Sequence, residues 1–296
     1  MEPLEGRVVP FLGAGANLCG RPPGGTWSVG RFLPSGAELA AYLADKSRYP
    51  DDADADLLRV SQYVDAVLGG QALYEYLRSA FDADYPPNAL HVLLAGVAAR
   101  LRVTGRPPLL VLTTNYDDAL ERAFDAVGEP YQVLWYEAKP KARGHFMHRH
   151  DGKVAPIRRP NETLMGDRTL IVKLHGAVDR SDPKDDSYVV TEDDYIGYVE
   201  RIPITVRARM EDSHFLFLGY SLRDWNLRVI LSRIWEGRRL ASRSWAVQRQ
   251  QPSSQLGEVE QKLWRDRGEV DLLYVELDEY VAKLGAELSD TTAIAA

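Results

Sequence analysis

The sequence lacks several features that would point to particular classes of protein. Cys19 is the only cysteine among 296 residues, which excludes an internal disulfide and leads us to expect a cytoplasmic protein. The first residues lack a signal-segment pattern, and no apolar run approaches the roughly 18 residues of a membrane helix, so no membrane contact is expected. A net charge of -7 offers no general attraction for nucleic acid, although it does not exclude a local basic patch. Direct nucleic-acid binding is therefore not expected.

Apolar runs and helical patterns alternate along the chain. Runs without polar alternation are typical of strands buried on both faces, and they occur at 8–11, 109–113, 132–135, 170–174, 215–218, 244–247 and 272–275. Helical patterns occur at 37–46, 56–68, 71–81, 90–101, 117–127, 193–199, 205–211, 225–235 and 256–267, with another at the C-terminal end. This alternation predicts an α/β fold with a Rossmann-like, doubly wound, mainly parallel sheet. Pro10 is a misfit in the first strand, because proline cannot donate to a ladder.

The spacing of these patterns predicts the domain organisation. Four helical patterns in succession separate the first two strands, which indicates a helical insertion at about 36–102. A segment rich in Pro, His and Arg at about 136–168 is expected to form an irregular insertion. We expect one domain over 1–285 and a flexible tail over 286–296.

Four predicted strands are followed directly by glycine-containing or polar motifs. These are Gly13-Ala14-Gly15-Ala16-Asn17, Thr113-Thr114-Asn115-Tyr116-Asp117, His175-Gly176 and Gly219-Tyr220-Ser221. Open parallel sheets bind ligands beyond the carboxyl ends of their strands, so the four motifs are expected to form one composite site. Glycines after a strand let backbone approach a phosphate, and they indicate a nucleotide ligand.

Each motif also has a purely structural interpretation. The first glycines suit a tight turn as well as a phosphate site, because no Walker lysine and no complete dinucleotide spacing follow them. Asp117 is placed to cap the next helix, and Ser221 and Asp224 are placed to do the same for a later one. A lone histidine such as His175 is more often a satisfied core residue than a catalytic one. The four motifs in this order together favour a site.

The ordered motifs resemble those of the sirtuin-type NAD-binding fold over about residues 8–231. The resemblance implies that Asn115 and Asp117 face the nicotinamide ribose and that His175 is the catalytic histidine. It implies that the first motif lines the pyrophosphate and that the last holds the adenosine half of NAD+. The implied cofactor-binding residues are Gly13, Ala14, Gly15, Ala16, Asn17, Thr114, Gly219, Ser221 and Asp224.

The chain departs from sirtuin deacylases in its cysteines. Those enzymes carry a zinc module with two Cys-x-x-Cys pairs, which a single cysteine cannot supply. His145, His148 and His150 lie in the corresponding region, but such a cluster in a polar loop is more typical of a solvated surface, and no metal is expected. The chain thus resembles the zinc-free sirtuin-like proteins of bacteria, which consume NAD in defence against phage.

The resemblance and the residue types predict hydrolysis of NAD+ to nicotinamide and ADP-ribose, with Asn115, Asp117 and His175 as catalytic residues. One alternative is a protein deacylase or ADP-ribosyl transferase that uses the same site. Another is a non-catalytic sensor that binds NAD or ADP-ribose. The expected partners are NAD+ as substrate and either further copies of the chain or a separate regulator, such as a HerA-type ATPase or an Argonaute-type protein.

Overall fold

The computed structural model describes residues 7–50, 55–139, 144–157, 164, 166–191, 194, 201–220, 231, 243–249, 262, 264–265 and 270–294. The strands are β1 (Val8–Leu12), β2 (Leu110–Thr113), β3 (Tyr131–Glu137), β4 (His145–His150), β5 (Lys153–Pro156), β6 (Thr169–Lys173), β7 (Gly176–Ala177), β8 (Ser187–Tyr188), β9 (His214–Leu218), β10 (Ser244–Gln248) and β11 (Val270–Tyr274). The α-helices are α1 (Gly36–Ser47), α2 (Leu57–Leu68), α3 (Gly70–Phe81), α4 (Ala89–Val103), α5 (Ala119–Val127), α6 (Ile204–Glu211) and α7 (Leu277–Ile294). The helices predicted at 193–199, 225–235 and 256–267 fall almost entirely outside the described residues. None of the described helices is long and apolar enough to cross a bilayer.

Nine of the described strands form one sheet in the order β11-β10-β9-β1-β2-β6-β3-β4-β5. The strands from β11 to β3 run parallel, and β4 and β5 add an antiparallel edge. The chain moves from β1 to β2 on one side and later to β9 on the other side, so the strand order reverses at β1. This is the topology of a doubly wound, Rossmann-like sheet, and it confirms the predicted α/β fold class.

Both faces of the sheet are covered by apolar side chains. Successive residues of a strand point to opposite faces, so each strand contributes to two clusters. On one face the buried residues are Val9, Phe11, Leu112, Val172, Phe215 and Phe217 with Val206 and Met210 of α6. On the other face they are Leu12, Val111, Ile171, Leu216 and Leu218 with residues of α4, α5 and α7. Burial on both faces explains why the strands are apolar throughout.

Pro10 lies in β1, a central strand, without breaking a ladder. β1 pairs with β9 from Val8 to Leu12, whereas its pairing with β2 begins only at Phe11. Leu12 turns its carbonyl toward β2, where it accepts from Thr114 N at 3.1 Å. Because the direction alternates along a strand, the Pro10 nitrogen also points toward β2, at a position before that ladder begins. The missing N–H therefore interrupts neither the pairing with β9 nor the pairing with β2 that begins at Phe11.

The predicted helical insertion at 36–102 is narrower in the structure. Helices α1, α2 and α3 form their own apolar cluster, which includes Leu43, Val64 and Leu77. That cluster also contains Tyr116 from the loop after β2 and Tyr188 of β8, both at the carboxyl edge of the sheet, so the three helices pack over this edge. Helix α4 packs instead against the face of the sheet and serves as the crossover from β1 to β2. The insertion thus ends with α3.

The expectation of an irregular segment at 136–168 is wrong for the hairpin of β4 and β5. Asp151 and Gly152 join the two strands, and both have positive φ, at 49° and 71°. An Asp-Gly pair in this conformation suits the twist of adjacent antiparallel strands. The high content of His and Arg in this segment leaves little of the apolar pattern by which strands are recognised in a sequence, so the hairpin was not predicted.

The segment expected to be a flexible tail at 286–296 is helical as far as Ile294 in α7, and its flexibility stays a prediction. The helix packs on α4, where Leu288 joins the apolar cluster of the sheet face. The guanidinium of Arg100 donates to the carbonyl of Leu288. Packing against α4 therefore holds α7 as far as Leu288.

Glu38 fastens the loop after β1 to the start of α1. Its carboxylate accepts from Ser35 N at 2.8 Å and from Trp27 N at 2.6 Å, and it pairs with Arg21 at 2.8 Å. Burial alone would raise the pKa of Glu38, but the donors on Ser35, Arg21 and Trp27 outweigh it and lower the pKa from 4.5 to about 2. The ionised form is therefore favoured by folding.

Replacing this carboxylate should remove part of the acid dependence of stability. A lowered pKa in the folded state stabilises the fold above the unfolded pKa of 4.5, and the contribution disappears as the pH falls to about 2. Glu38→Gln should thus unfold more easily than wild type above pH 4.5, and the difference should shrink toward pH 2. Urea unfolding at several pH values measures this, with Glu75→Gln, an exposed glutamate of α3, as the control. A constant difference at all pH values would contradict the assignment.

Candidate active site

A cavity of about 880 Å³ opens beyond the carboxyl ends of the parallel strands. It is lined by residues that follow β1, β2, β6, β9, β10 and β11, with parts of α1 and α2 on the remaining side. Its position coincides with the reversal of strand order at β1, where doubly wound sheets bind ligands. Its volume lies in the range of small-molecule sites.

The turns that follow β1 and β9 touch each other through their backbones. Gly15 N donates to the carbonyl of Gly219 at 2.7 Å, and Gly13 N donates to Leu218 O at 3.1 Å. A Cβ atom on Gly219 would lie 2.0 Å from Ala16 N, and Gly219 has a φ of +60°. The structural interpretation of these glycines is therefore correct. The contact between the turns leaves no room for a side chain.

The same contact limits what the first motif can offer a phosphate. The amides of Gly13 and Gly15 already donate to carbonyls of the protein. Ala14 and Gly15 line the cavity, whereas Gly13 and Ala16 are buried behind its wall. The pyrophosphate role of this motif stays a prediction, and Ala14, Gly15 and Asn17 are its members that line the cavity.

The loop after β2 brings Thr114, Asn115 and Asp117 to the cavity wall. Asn115 Nδ2 donates to Gly13 O at 3.1 Å and to Asn17 Oδ1 at 3.2 Å. Asn17 Nδ2 in turn donates to Asp117 Oδ2 at 2.9 Å. The first two motifs are therefore joined by side-chain hydrogen bonds.

Although the N-cap residue of α5 is Asp118, Asp117 also binds the start of that helix. Its Oδ1 atom accepts from Ala119 N at 3.1 Å and thereby satisfies an amide of the first turn of α5. The other carboxylate oxygen is the one bound to Asn17. Asp117 is only 5% exposed, so it both accepts from the first amide of α5 and forms a buried part of the cavity wall.

His175 follows β6 and lines the same cavity. Its carbonyl accepts from Val189 N at 2.8 Å, which holds the backbone at this point. The next residue, Gly176, has a φ of +88°, and a Cβ there would lie 2.1 Å from Ser187 O. Glycine is therefore required beside the histidine so that β7 and β8 can pair.

Sequence reasoning missed a buried ion pair beneath the site. Lys173 Nζ lies 2.8 Å from Glu121 Oε1 and also donates to the carbonyl of Asp117. Burial would raise the pKa of Glu121, but the Lys173 ammonium outweighs this and lowers it. Breaking a buried pair costs about 3–5 kcal/mol, so Lys173 holds the loop at Asp117 firmly. The sequence feature that could have indicated this ion pair is the single lysine in the otherwise apolar run 170–174.

The far wall of the cavity was also missed. It is formed after β10 and β11, and it includes Gln248, Arg249, Glu276 and Asp278. Gln248 Nε2 donates to Tyr220 O at 3.0 Å, and Arg249 pairs with Glu276 at 3.2 Å. The available signal was a polar residue directly after each of the predicted strands 244–247 and 272–275, namely Gln248 and Glu276.

Two of the predicted binding residues, Ser221 and Asp224, lie outside the described residues. Gly219, from the same motif, lines the cavity. Their predicted role toward the adenosine half stays a prediction.

The three histidines of β4 do not converge on one point. His148 and His150 share one face of the strand, and His145 has the opposite parity. His148 Nε2 is 2.8 Å from Gln132 Oε1, and His150 Nε2 is 3.2 Å from the Asp151 carboxylate. Within the described part of the chain, no group of three His, Cys, Asp or Glu side chains could hold a metal ion.

The reversal of strand order, the interlocked glycine turns and the cavity beside them define an α/β protein of the Rossmann type, with a cavity at the position where such sheets bind ligands. The family model described as the SIR2-like domain matches residues 109–270, which is more than half of the chain. The chain therefore belongs to the SIR2-like domain family.

Individual curated relatives are similar to the chain over longer stretches than the family model matches. The chain is 25% identical over 231 residues to Defense-associated sirtuin 2 of Bacillus subtilis, which covers 77% of this chain and 19% of that protein. It is 30% identical over 201 residues to NAD(+) hydrolase ThsA of Acinetobacter baumannii (strain 532279), covering 67% of this chain and 35% of the relative. For NAD(+) hydrolase ThsA of Enterococcus faecium the identity is 25% over 236 residues, with 78% and 40% covered. The matched region is thus less than half of each of these relatives.

The contact between the two glycine turns should make Gly219→Ala strongly destabilising. The added methyl would force Ala16 and Gly219 apart, and we expect a loss of about 3 kcal/mol or more in the free energy of unfolding. Gly30→Ala is the matched control, because Gly30 also has positive φ but has nothing within 4 Å of its added Cβ. The control should lose about 1–2 kcal/mol, the cost of the left-handed backbone alone. Equal losses in urea unfolding would show that the contact is unimportant.

Proposed function

We propose that this chain hydrolyses NAD+ to nicotinamide and ADP-ribose in the cavity at the carboxyl edge of the sheet. One observation carries the proposal: Asn115 and His175, from motifs 60 residues apart in sequence, line a single cavity. Its place at the strand reversal suits a dinucleotide. Three similar curated proteins bear the name NAD(+) hydrolase.

The chemistry requires little from the protein besides orientation and charge. Nicotinamide takes the electron pair of the bond to the ribose and leaves as a neutral molecule, so it needs no proton. The ribose passes through an oxocarbenium-like state, as in glycoside hydrolysis. Water then adds to the anomeric carbon and releases one proton.

The cavity residues fit these requirements. Asn115 holds the attacking water or a ribose hydroxyl, and His175 accepts the proton that the water loses. Residues 114–117 and His175 lie on strand ends of the rigid sheet, which keeps the reacting groups in position. Ala14 and Gly15 line the pyrophosphate, and the wall after β10 and β11 is available for the adenosine half.

We further propose that the activity serves defence against phage and is controlled by assembly. The likeness to a protein named Defense-associated sirtuin 2 supports this role. An unregulated NAD+ hydrolase would harm its own cell, so we expect activation by further copies of the chain or by a regulator such as a HerA-type ATPase or an Argonaute-type protein.

The proposal is tested by NAD+ consumption with the products resolved by chromatography. The wild-type chain should release nicotinamide and ADP-ribose in equal amounts. Asn115→Ala and His175→Ala should each lower the turnover by about 10²-fold or more, because each removes a group that acts on the water or the ribose. His214→Ala is the control and should keep wild-type turnover. His214 is the first residue of β9, so it lies at the amino ends of the parallel strands, away from the cavity.

The same assay separates the alternatives. Nicotinamide release that depends on an added acylated peptide would indicate a deacylase or transferase. Binding of NAD+ in calorimetry without any release, in the presence of candidate regulators, would indicate a sensor. Wild-type turnover in both Asn115→Ala and His175→Ala would contradict the proposed site.

A further inference from the structure

We infer that Asn17 and Asp117 form a hydrogen-bond relay that holds the Asn115 amide with its carbonyl oxygen toward the bound molecule, so that Asp117 is a positioning residue. The inference rests on the proposed function, because it assigns the polarity of the group that meets the substrate. It follows from the direction of five hydrogen bonds around three buried or half-buried side chains.

One end of the relay is fixed by a backbone carbonyl. Gly13 O can only accept, so the atom of Asn115 that lies 3.1 Å from it must be the amide nitrogen. The same nitrogen lies 3.2 Å from Asn17 Oδ1. Both hydrogens of the Asn115 amide are therefore used within the protein.

The other end is fixed by a backbone amide. Ala119 N can only donate, and it binds Asp117 Oδ1 at 3.1 Å. The second carboxylate oxygen accepts from Asn17 Nδ2 at 2.9 Å, so Asn17 must turn its carbonyl oxygen toward Asn115. The two ends agree on one direction, and a flipped amide at either asparagine would oppose like groups.

This direction decides which atom of Asn115 faces the ligand. The backbone nitrogen of Asn115 donates to Thr113 Oγ1 at 3.0 Å, which holds the residue against the end of β2. No described residue donates to Asn115 Oδ1, which is the remaining polar atom of a side chain on the cavity wall. The site therefore offers an acceptor, which selects a donor such as a water or a sugar hydroxyl and rejects a carbonyl or phosphate oxygen.

The relay also changes the role of Asp117. Both of its oxygens are bound within the protein, one by the helix and one by Asn17, and its side chain is almost fully buried. Its negative charge sets the direction of the relay. An isosteric amide at position 117 would keep the bond to Ala119 N but would present a donor to Asn17. Asn17 would then turn, and its own donor would oppose the donor of Asn115.

Exchanging the two side chains provides the test. Asp117→Asn alone should lower kcat by about 10²-fold with little change in KM, because the water or hydroxyl is misplaced while most binding contacts remain. In the double variant Asn17→Asp/Asp117→Asn, the new carboxylate accepts from both neighbours, and Asn115 regains its original direction. Most of the lost kcat should return. Asp118→Asn, which alters the adjacent acid outside the relay, should behave as wild type.

A second readout does not depend on activity. The side-chain amide protons of Asn115, assigned by their loss in Asn115→Ala, should exchange slowly with solvent in the wild type and the double variant. In Asp117→Asn they should shift and exchange faster. If the wild-type chain does not cleave NAD+, the proposed function fails, and these amide signals still decide whether the relay exists.

The inference is overturned by either of two results. Unchanged Asn115 amide signals in Asp117→Asn would show that no relay sets the direction of the amide. A double variant that restores those signals while kcat stays low would show that the Asp117 carboxylate acts on the substrate itself.

Discussion

The contact between the turns after β1 and β9 is the constraint on which the rest of the site depends. At 2.7 Å between Gly15 N and Gly219 O, the two central strands of the sheet end in one backbone assembly. This places Asn17 beside the loop after β2, within reach of Asn115 and Asp117. The glycines thus act on the chemistry indirectly, because they bring three polar side chains to one wall of the cavity.

Two buried ion pairs stabilise the elements that surround this assembly. Lys173 and Glu121 support the carbonyl of Asp117 from the sheet face beneath it. Arg78 of α3 pairs with Asp186 at 2.9 Å and donates to the carbonyl of Asp179, which fastens the helical layer to the segment after His175. Separating the partners of such a pair would leave an uncompensated buried charge, so each pair resists a change in this geometry. The cavity wall is therefore preorganised on both sides.

Much of the fold and part of the site could be predicted because they depend on local patterns. Apolar runs identify strands covered on both faces, and the four motifs at their ends include the two residues proposed to act on the ribose, Asn115 and His175. The Asp-Gly hairpin was missed because its His- and Arg-rich strands form an edge, where the apolar signal is weak. Lys173, Arg249 and Glu276 were missed because their roles depend on which strands become neighbours, and strand order is a property of the whole chain. The direction of the Asn17 and Asn115 amides likewise exists only in the assembled site.

The measurement that tests the account most directly is a crystal structure of the His175→Ala chain with NAD+ bound. The account predicts that NAD+ occupies the cavity at the carboxyl edge, with a hydroxyl of the nicotinamide ribose or an ordered water about 3 Å from Asn115 Oδ1. It also predicts the adenosine half against the wall formed after β10 and β11. NAD+ bound elsewhere, or bound here with its adenosine ribose at Asn115, would contradict the account.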